Sequence, residues 1–333
     1  MSIAKKFDFT SFISRFGILC VFLVMFVMFS IFAPNFLQMR NMFNVARQIS
    51  TLGICVAGMS IVMISGGIDL SVGFQISLVN VVCATLMVNF GWHPVAAVLA
   101  VLLMGTMIGF INGVIIVRSQ VMPLIITLAV LNVLSGLSFM VSRGLPIFGF
   151  PPGFTVLGQG TVLGGIPISL FVMATVLLLS AFILRKVYWG RYFYACGSNE
   201  EAAKLSGIKT GALRILSHTL CGLFTAIGGV ILLSRTNSGL SSNGAGFEFN
   251  VITACVLGGV SAKGGKGTIF GAFVGVLIVG FLENGLLLMN VSEFTQRVVT
   301  GMLLAAAVCY DQFMIRKSEQ VKKIKAINAD NEV

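Results

Sequence analysis

Charged residues are scarce in this chain. Lysine, arginine, aspartate and glutamate together make up only 10% of its 333 residues, whereas hydrophobic residues make up 57%. Ordinary soluble domains carry a far larger fraction of charged residues. The mean hydropathy of +1.00 also marks the chain as strongly apolar. The composition therefore excludes a soluble enzyme and indicates an integral membrane protein.

Histidine is also scarce, and cysteine pairs are missing. The only histidines are His93 and His218, which are far apart in the sequence. The seven cysteines include no C-x-x-C pair, and six of them lie in apolar segments, where cysteine acts as a small hydrophobic residue. We therefore expect no metal site, no cofactor, no disulfide framework and no clustered catalytic residues.

A phosphate-binding loop is not formed either, although glycine and lysine alternate over residues 258–268. This segment lacks the G-x-x-x-x-G-K-[ST] spacing, because Lys266 is followed by Gly267. We interpret it as a tight basic turn between a short helix and the next apolar run. ATP binding by this route is excluded.

Long apolar runs occur from one end of the chain to the other. Splitting the third run at a turn over 89–94 gives ten candidate membrane-spanning helices. One run, 249–262, is too short to cross a bilayer and predicts a partial helix. The first run should remain as an anchor, because no small-x-small cleavage site follows it. The runs cover 16–32, 48–68, 70–117, 119–142, 168–184, 215–234, 249–262, 268–282 and 294–313.

Basic residues are distributed unevenly around these runs. With the N terminus in the cytoplasm, five of the 22 lysines and arginines lie outside or in outer helix ends, which leaves 17 inside. This asymmetry follows the positive-inside rule and predicts that both termini are cytoplasmic. The net charge of +11 is then a topology signal rather than a sign of nucleic-acid binding, and 314–333 is a basic tail beside anionic lipid headgroups. The outer exceptions are Arg40, Arg47, Arg143, Arg235 and Arg297.

A polar segment interrupts the apolar pattern after residue 184. Ser198 and Glu201 have the spacing of a capping box, in which the hydroxyl bonds the third helical amide. Glu200 suits the positive start of a helix, Lys204 suits its end and Gly207 suits the position after the cap. These features predict a short cytoplasmic helix over 199–206.

Helices this short are marginal on their own, so this one needs a contact surface. We expect its apolar residues Ala202, Leu205 and Ile208 to be pressed against that surface. Two interpretations remain open. The helix is either an amphipathic connector that lies on its own helix ends, or a docking element for a cytoplasmic partner.

Three glycine-containing motifs stand out, at 65–73, 190–208 and 256–268. They read Ser-Gly-Gly-Ile-Asp-Leu-Ser-Val-Gly, Gly-Arg-Tyr-Phe-Tyr-Ala-Cys-Gly-Ser-Asn-Glu-Glu-Ala-Ala-Lys-Leu-Ser-Gly-Ile and Val-Leu-Gly-Gly-Val-Ser-Ala-Lys-Gly-Gly-Lys-Gly-Thr. In this order they resemble the ribose-type permeases of ATP-binding-cassette importers, over nearly the whole chain. The resemblance implies an all-α, polytopic permease similar to type II importers, with about ten transmembrane helices and no chemistry of its own.

The resemblance also implies that the chain lies in the bacterial cytoplasmic membrane and that it has three partners. These are a cytoplasmic ATPase, an extracytoplasmic sugar-binding protein and a second permease subunit, either identical or a sibling. The chain would be one membrane domain over 1–333, with a coupling loop at 190–211 whose segment from Asn199 to Gly207 docks in a groove of the ATPase. The implied coupling residues are Gly197, Ser198, Asn199, Glu200, Glu201, Ala202, Lys204, Leu205, Ser206 and Gly207.

Polar residues inside the predicted spans or directly at their ends are candidates for the translocation path. Such residues are costly when they face lipid, so they should face the interior of the bundle. Asp69 either caps the third span or acts in gating or solute contact. The others either form interhelical hydrogen bonds or line the path. The candidates are Gln48, Asp69, Asn112, Glu248, Asn250, Glu283 and Asn284.

Two positions depart from the common family pattern. Asn250 ends a Phe-Glu-Phe-Asn segment where Tyr-Glu-Leu-Asp is common, and Glu283 begins a Glu-Asn-Gly segment where Asn-Asn-Gly is common. One acid is lost and one is gained, which favours a solute other than ribose. The alternatives are a related permease for nucleosides or amino acids, and a secondary transporter driven by an ion gradient.

Two further features concern organisation. The Pro/Gly-rich outer loop 143–167 is either part of a landing surface for the binding protein or structural padding. Gly-Gly turns at Gly66 and Gly258 should both lie on the inner face. Their placement hints at two related halves, as in many transporter folds.

Overall fold

The computed structural model describes residues 9–162 and 164–330, and it is mainly helical there. Lys5 and Lys6, which contribute to the orientation argument, and the last residues of the basic tail, 331–333, lie outside the described residues. The helices are α1 Phe9–Phe32, α2 Met39–Ile64, α3 Val72–Val88, α4 Pro94–Ser119, α5 Pro123–Ser142, α6 Val156–Gln159, α7 Ile168–Lys186, α8 Tyr188–Ser198, α9 Glu200–Leu205, α10 Thr210–Thr236, α11 Phe247–Leu257, α12 Ile269–Leu288 and α13 Glu293–Asp330.

Six of the described helices are long and apolar enough to cross a membrane, namely α2, α4, α5, α7, α10 and α12. Shorter apolar helices occupy Ile18–Phe32 within α1, α3 and α11. The predicted break in the third run is confirmed, because α3 ends at Val88 and α4 begins at Pro94. His93 caps α4 by accepting a hydrogen bond from the Val95 amide at 3.4 Å.

Helix α2 forms the centre of the bundle. Every residue from Ile49 to Ile64 is buried, so the helix is surrounded on all sides, with α7, α10, α11 and α12 packed around it. Helices α4 and α5 lie at the periphery and expose apolar side chains such as Leu99, Leu103 and Leu128. This is the arrangement expected where the outer helices face lipid and only the inner ones face protein.

Glycines bring α4 and α10 into backbone contact. A Cβ added to Gly109 would lie 2.2 Å from the His218 carbonyl oxygen, and one added to Gly222 would lie 2.3 Å from the Gly105 carbonyl oxygen. Small residues at such a crossing let two membrane helices approach closely. Helix α10 is therefore held tightly against α4 along its length.

Three expectations about local structure need comment. The partial helix is confirmed as α11, an 11-residue helix that ends at Leu257 with Gly258 as its C-cap, before Gly259 turns the chain with φ +78°. The all-α expectation misses a small antiparallel hairpin, β1 Thr161–Val162 with β2 Ile166–Pro167, next to the positive-φ glycines Gly164 and Gly165. Helix α13 carries the basic tail onward as helical backbone to Asp330.

Candidate functional site

The polar segment after α7 forms two consecutive helices, α8 and α9, which meet at Asn199. Its backbone is extended (φ −160°, ψ 104°), and its Oδ1 accepts a hydrogen bond from the Ala202 amide at 3.0 Å. This N-cap bond satisfies a free amide at the start of α9. The predicted capping box at Ser198 and Glu201 is wrong, because Ser198 is the last residue of α8 and Asn199 occupies the cap position.

The end of α9 follows the predicted pattern. The Ile208 amide donates to the Ala203 carbonyl at 3.1 Å, and the Gly207 amide donates to the Lys204 carbonyl at 2.9 Å. Together these bonds form a Schellman motif, in which Gly207 has a φ of +80°. Gly207 is thereby confirmed as the residue after the C-cap, Ser206.

The outward side of α9 is not covered by the rest of the described chain. Leu205 is 90% exposed and Ala202 is also exposed, whereas Ala203 is the buried residue of the helix. Of the expected contact residues, only Ile208 packs against the core. Of the three apolar residues expected to be covered, only Ile208 finds its contact within the described chain. Leu205 is left available to a partner.

Glu200 joins α9 to the start of α10. Its Oε1 lies 3.0 Å from Lys204 Nζ and accepts from the Thr210 hydroxyl at 3.3 Å, while its Oε2 pairs with the Arg214 guanidinium. Partial burial alone would raise the pKa of the Glu200 carboxyl, but the hydrogen bond from Lys204 and the charge of Arg214 outweigh burial and lower that pKa. The ionised carboxylate therefore ties the short helix to a long one.

The glycine-containing motifs meet beside α8. The Gly265 amide donates to the Ile64 carbonyl at 2.9 Å, and the Tyr194 hydroxyl donates to the Gly267 carbonyl at 2.8 Å. A Cβ on Gly197 would lie 2.0 Å from the Ile64 oxygen, so this approach requires glycine. We call the end of the bundle at which Ile64, Gly197 and Gly265 pack together the junction face, and α9 lies next to it.

Asp69 and Asn112 meet through Ser71. Asp69 Oδ1 accepts from the Ser71 amide at 3.0 Å, and Asn112 Nδ2 donates to the Ser71 hydroxyl oxygen at 2.9 Å. All three side chains are buried. The expectation that Asp69 caps the third span is wrong, because α3 begins at Val72 with Ser71 at the cap position. Asp69 instead holds Ser71 in an Asx-turn.

Gln48, Asn250 and Glu283 form one cluster, which we call the Glu283 triad. Gln48 Nε2 donates to Glu283 Oε2 at 3.0 Å, and Asn250 Nδ2 donates to Glu283 Oε1 at 2.6 Å. These bonds join α2, α11 and α12. The two positions that depart from the family pattern are therefore hydrogen-bond partners of each other.

The remaining path candidates lie elsewhere. Asn284 exchanges two amide hydrogen bonds with Asn41, both at 2.9 Å. Glu248 is buried against the backbone of Gly73, where an added Cβ would lie 1.9 Å from Glu248 Oε2. The candidates thus fall into separate groups, and the Glu283 triad is the largest.

An open cavity of about 530 Å³ lies next to the triad. We call it the arginine chamber, and Gln48 belongs to both the chamber and the triad. In the sequence, Arg47 and Arg235 indicate only membrane orientation, and nothing predicts the chamber. The usable signal is that charged residues inside or at the edge of membrane helices tend to be functional. The chamber is lined by Asn44, Arg47, Gln48, Gln159 and Arg235.

Apolar helices suited to a bilayer, with buried polar side chains between them and an exposed polar helix at one face, define the class of this protein as a multi-pass membrane permease. A family model described as "Branched-chain amino acid transport system / permease component" matches residues 41–308. The chain belongs to this family of permease components, so it is a transport subunit and not an enzyme.

Similar proteins cover almost the full length of the chain. The ribose import permease protein RbsC of Escherichia coli K12 is 38% identical over 297 residues, 88% of this chain and 92% of the relative. RbsC of Bacillus subtilis is 38% identical over 310 residues, 92% of this chain and 96% of the relative. The L-arabinose transport system permease protein AraH of E. coli K12 is 38% identical over 309 residues, 93% and 94% of the two chains. No solved structure matches the chain.

Proposed function

We propose that this chain is the permease subunit of an ATP-binding-cassette importer that moves a monosaccharide or a similar small polar solute into a bacterial cell. The observation that carries this proposal is the 38% identity to permeases named for ribose and for arabinose, over nearly the whole chain. A separate cytoplasmic ATPase hydrolyses ATP and an extracytoplasmic binding protein delivers the solute. A second permease subunit, identical or a sibling, completes the path.

The proposed topology has ten spans and cytoplasmic termini. The six long apolar helices, the three shorter ones and the apolar first half of α13 supply these spans, as in type II importers. The short α11 is acceptable in a bilayer because most of its residues are buried in protein. The lysine and arginine bias supports placing the junction face in the cytoplasm.

The proposed contact with the ATPase is α9 and its flanks, from Gly197 to Gly207. Its support is the 90% exposure of Leu205 on a helix that Glu200 anchors to α10. An exposed leucine beside the charged groups of Glu201 and Lys204 offers both an apolar anchor and specificity to a groove.

The proposed solute path includes the Glu283 triad, with Asp69, Asn112, Glu248 and Asn284 as further candidates. Amide and carboxylate groups can exchange hydrogen bonds with solute hydroxyls, and the chamber beside the triad has the volume of a small-molecule site. Selectivity at high affinity should reside in the external binding protein, because tight binding along a path slows release.

The decisive experiment combines Glu201→Arg with Leu205→Asp. The double variant should fold and reach the membrane, but it should lose both co-purification with its ATPase and solute import. Leu145→Asp is a matched control, since Leu145 is an exposed loop leucine, 67% accessible, on the other side of the proposed membrane. It should leave ATPase co-purification unchanged. Import that survives in the double variant would contradict the proposal and favour an ion-driven carrier.

A second candidate function differs only in the solute. The matching family model is described by branched-chain amino acid transport, so an amino acid is the alternative cargo, and a nucleoside is a further one. Uptake of labelled ribose, arabinose, leucine and uridine by cells that express the complete importer separates these cargoes.

A further inference from the structure

The arginine chamber lies far from the junction face. Arg47 precedes Ile64 on the continuous helix α2, a separation of about 25 Å at 1.5 Å per residue. Arg235 is near the end of α10, about 30 Å along that helix from Arg214. In the proposed topology, the chamber therefore belongs to the extracytoplasmic half of the permease.

Positive charge in the chamber is not neutralised by an ion pair. Within the described part of the chain, the acids that form ion pairs are Glu200 and Glu293, so neither Arg47 nor Arg235 has one there. Glu283 is nearby and its charge attracts Arg235, but it is not within ion-pair distance of either arginine. The chamber thus presents two guanidinium groups, and the single Glu283 carboxylate beside it leaves one positive charge uncompensated.

Arg47 is also incompletely hydrogen-bonded. Its Nη1 donates to Asn44 Oδ1 at 3.3 Å and its Nη2 donates to the Gln159 carbonyl at 3.5 Å, both long contacts. Its Nε is buried and has no hydrogen-bond partner among the described residues. A buried donor without a partner is costly. A planar anionic oxygen group could bind the free donors of this guanidinium in a bidentate manner.

We propose that the arginine chamber is a solute subsite that binds a hydroxylated solute through an anionic oxygen group, a carboxylate or a phosphate, held by Arg47 and Arg235. The amides of Asn44, Gln48 and Gln159 then bind the solute hydroxyls. The cavity of about 530 Å³ is large enough for a sugar acid or a sugar phosphate. This inference rests on the proposed function, because it names the chemistry of the transported solute.

The same anionic chemistry is found in a phospholipid headgroup, which long basic side chains reach at a membrane surface. The test therefore uses D-ribonate as the probe and D-ribose as its neutral counterpart, titrated onto the purified permease in nanodiscs with and without phosphatidylglycerol. We expect ribonate to bind in both, with ribose at least about tenfold weaker. Loss of ribonate binding only where phosphatidylglycerol is present would assign the site to lipid and overturn the proposal.

The variants are Arg47→Gln and Arg235→Gln, each of which should weaken ribonate binding by about tenfold or more. Arg40→Gln is the matched control, because Arg40 lies on the same helix and is exposed outside the chamber. Equal ribose and ribonate binding, or unchanged ribonate binding in both variants, would overturn the proposal. The proposal would also be overturned if the Arg47→Gln permease bound ribonate normally but no longer bound the extracytoplasmic binding protein. Arg47 would then be a contact for the binding protein and not for the solute.

Failure of this inference is separable from failure of the proposed function. The ATPase should co-purify with the permease whether or not ribonate binds. A permease that retains its ATPase but does not bind ribonate would refute the anionic subsite alone. A permease without any ATPase partner would refute the proposed function.

Discussion

Asn199 and Glu283 each connect segments that are separate helices in the fold. Asn199 closes the start of α9 with its side chain, and Glu283 accepts hydrogen bonds from α2 and α11. Both act through the geometry of a single polar side chain. Their contributions can therefore be measured by conservative substitutions that leave the surrounding packing unchanged.

Replacing Asn199 by alanine should expose the first amides of α9 to solvent. Loss of an N-cap side chain costs about 1 kcal/mol, which is large for a helix of six residues. We expect faster hydrogen exchange at the Ala202 amide and weaker ATPase co-purification, measured by mass spectrometry and affinity capture.

Ser198→Ala is the control for this substitution, because the Ser198 hydroxyl does not cap α9. In the Ser198→Ala variant, the rate of hydrogen exchange at the Ala202 amide should equal that of the parent protein. A larger effect at Ser198 than at Asn199 would show that the capping box, and not the asparagine cap, operates in the membrane.

Asn250→Asp should destabilise the permease by placing a second carboxylate opposite Glu283, across a contact of 2.6 Å. Adding Glu283→Asn restores an acid and amide pair with the roles exchanged. We expect a coupling energy of about 0.5–3 kcal/mol in a double-mutant cycle, measured by thermal unfolding of the purified protein.

Additive effects in that cycle would contradict the pairing of Asn250 with Glu283. The double variant also tests solute choice in the complete importer. An unchanged profile of transported solutes would refute the hypothesis that these two positions adapt the path to a solute other than ribose.

At the scale of elements, α10 connects the two candidate sites. Its first turns bind α9 through Arg214 and its last turn places Arg235 in the arginine chamber. Between these ends, its glycines and those of α4 hold the two backbones together. Displacement of α9 by a partner would therefore act directly on a helix whose other end borders the chamber.

Gly222→Ala should separate α10 from α4, because the new Cβ would lie 2.3 Å from the Gly105 carbonyl oxygen. Overpacking of this kind costs about 1–3 kcal/mol. We expect a lower midpoint of thermal unfolding for the purified permease.

Gly136→Ala in α5 provides the contrast, since its added Cβ would point into open space, with no side chain or other helix of the described chain within 4 Å. It should leave the midpoint unchanged or raise it slightly, because alanine favours helix. A similar loss at both positions would indicate that glycine content, and not the α4–α10 contact, determines the stability.

At the scale of the whole molecule, the proposed orientation puts Leu205 in the cytoplasm and Leu145 outside. Both are exposed, at 90% and 67%, so cysteines at these positions should react with a membrane-impermeant maleimide. We expect Leu145→Cys to react in intact spheroplasts and Leu205→Cys only in inside-out vesicles.

The labelling requires a background in which the exposed thiols Cys20 and Cys309 are replaced by serine. The opposite pattern would invert the topology and remove the proposed ATPase contact. Reaction of both cysteines from one side would contradict the single span, α7, that separates them in the proposed topology.

Much of the architecture could be predicted from periodicity and turn chemistry. The break between α3 and α4, the partial helix α11 and the C-terminal cap at Gly207 are local features and were predicted. The sequence does not decide the N-cap of α9, because Ser198 and Asn199 are both good caps and only the extent of α8 distinguishes them. The hairpin near Gly164 was missed because its strands have only two residues each.

The sequence alone determined the membrane class, the family and the residues available for a site, because hydropathy, glycine placement and motif order are local properties. Only the tertiary structure decided which of those residues meet. Glu283 and Asn250 are distant in the chain and become partners because α11 and α12 pack side by side. Arg47 and Arg235 share one chamber because α2 and α10 run together through the core, and no local pattern encodes that packing.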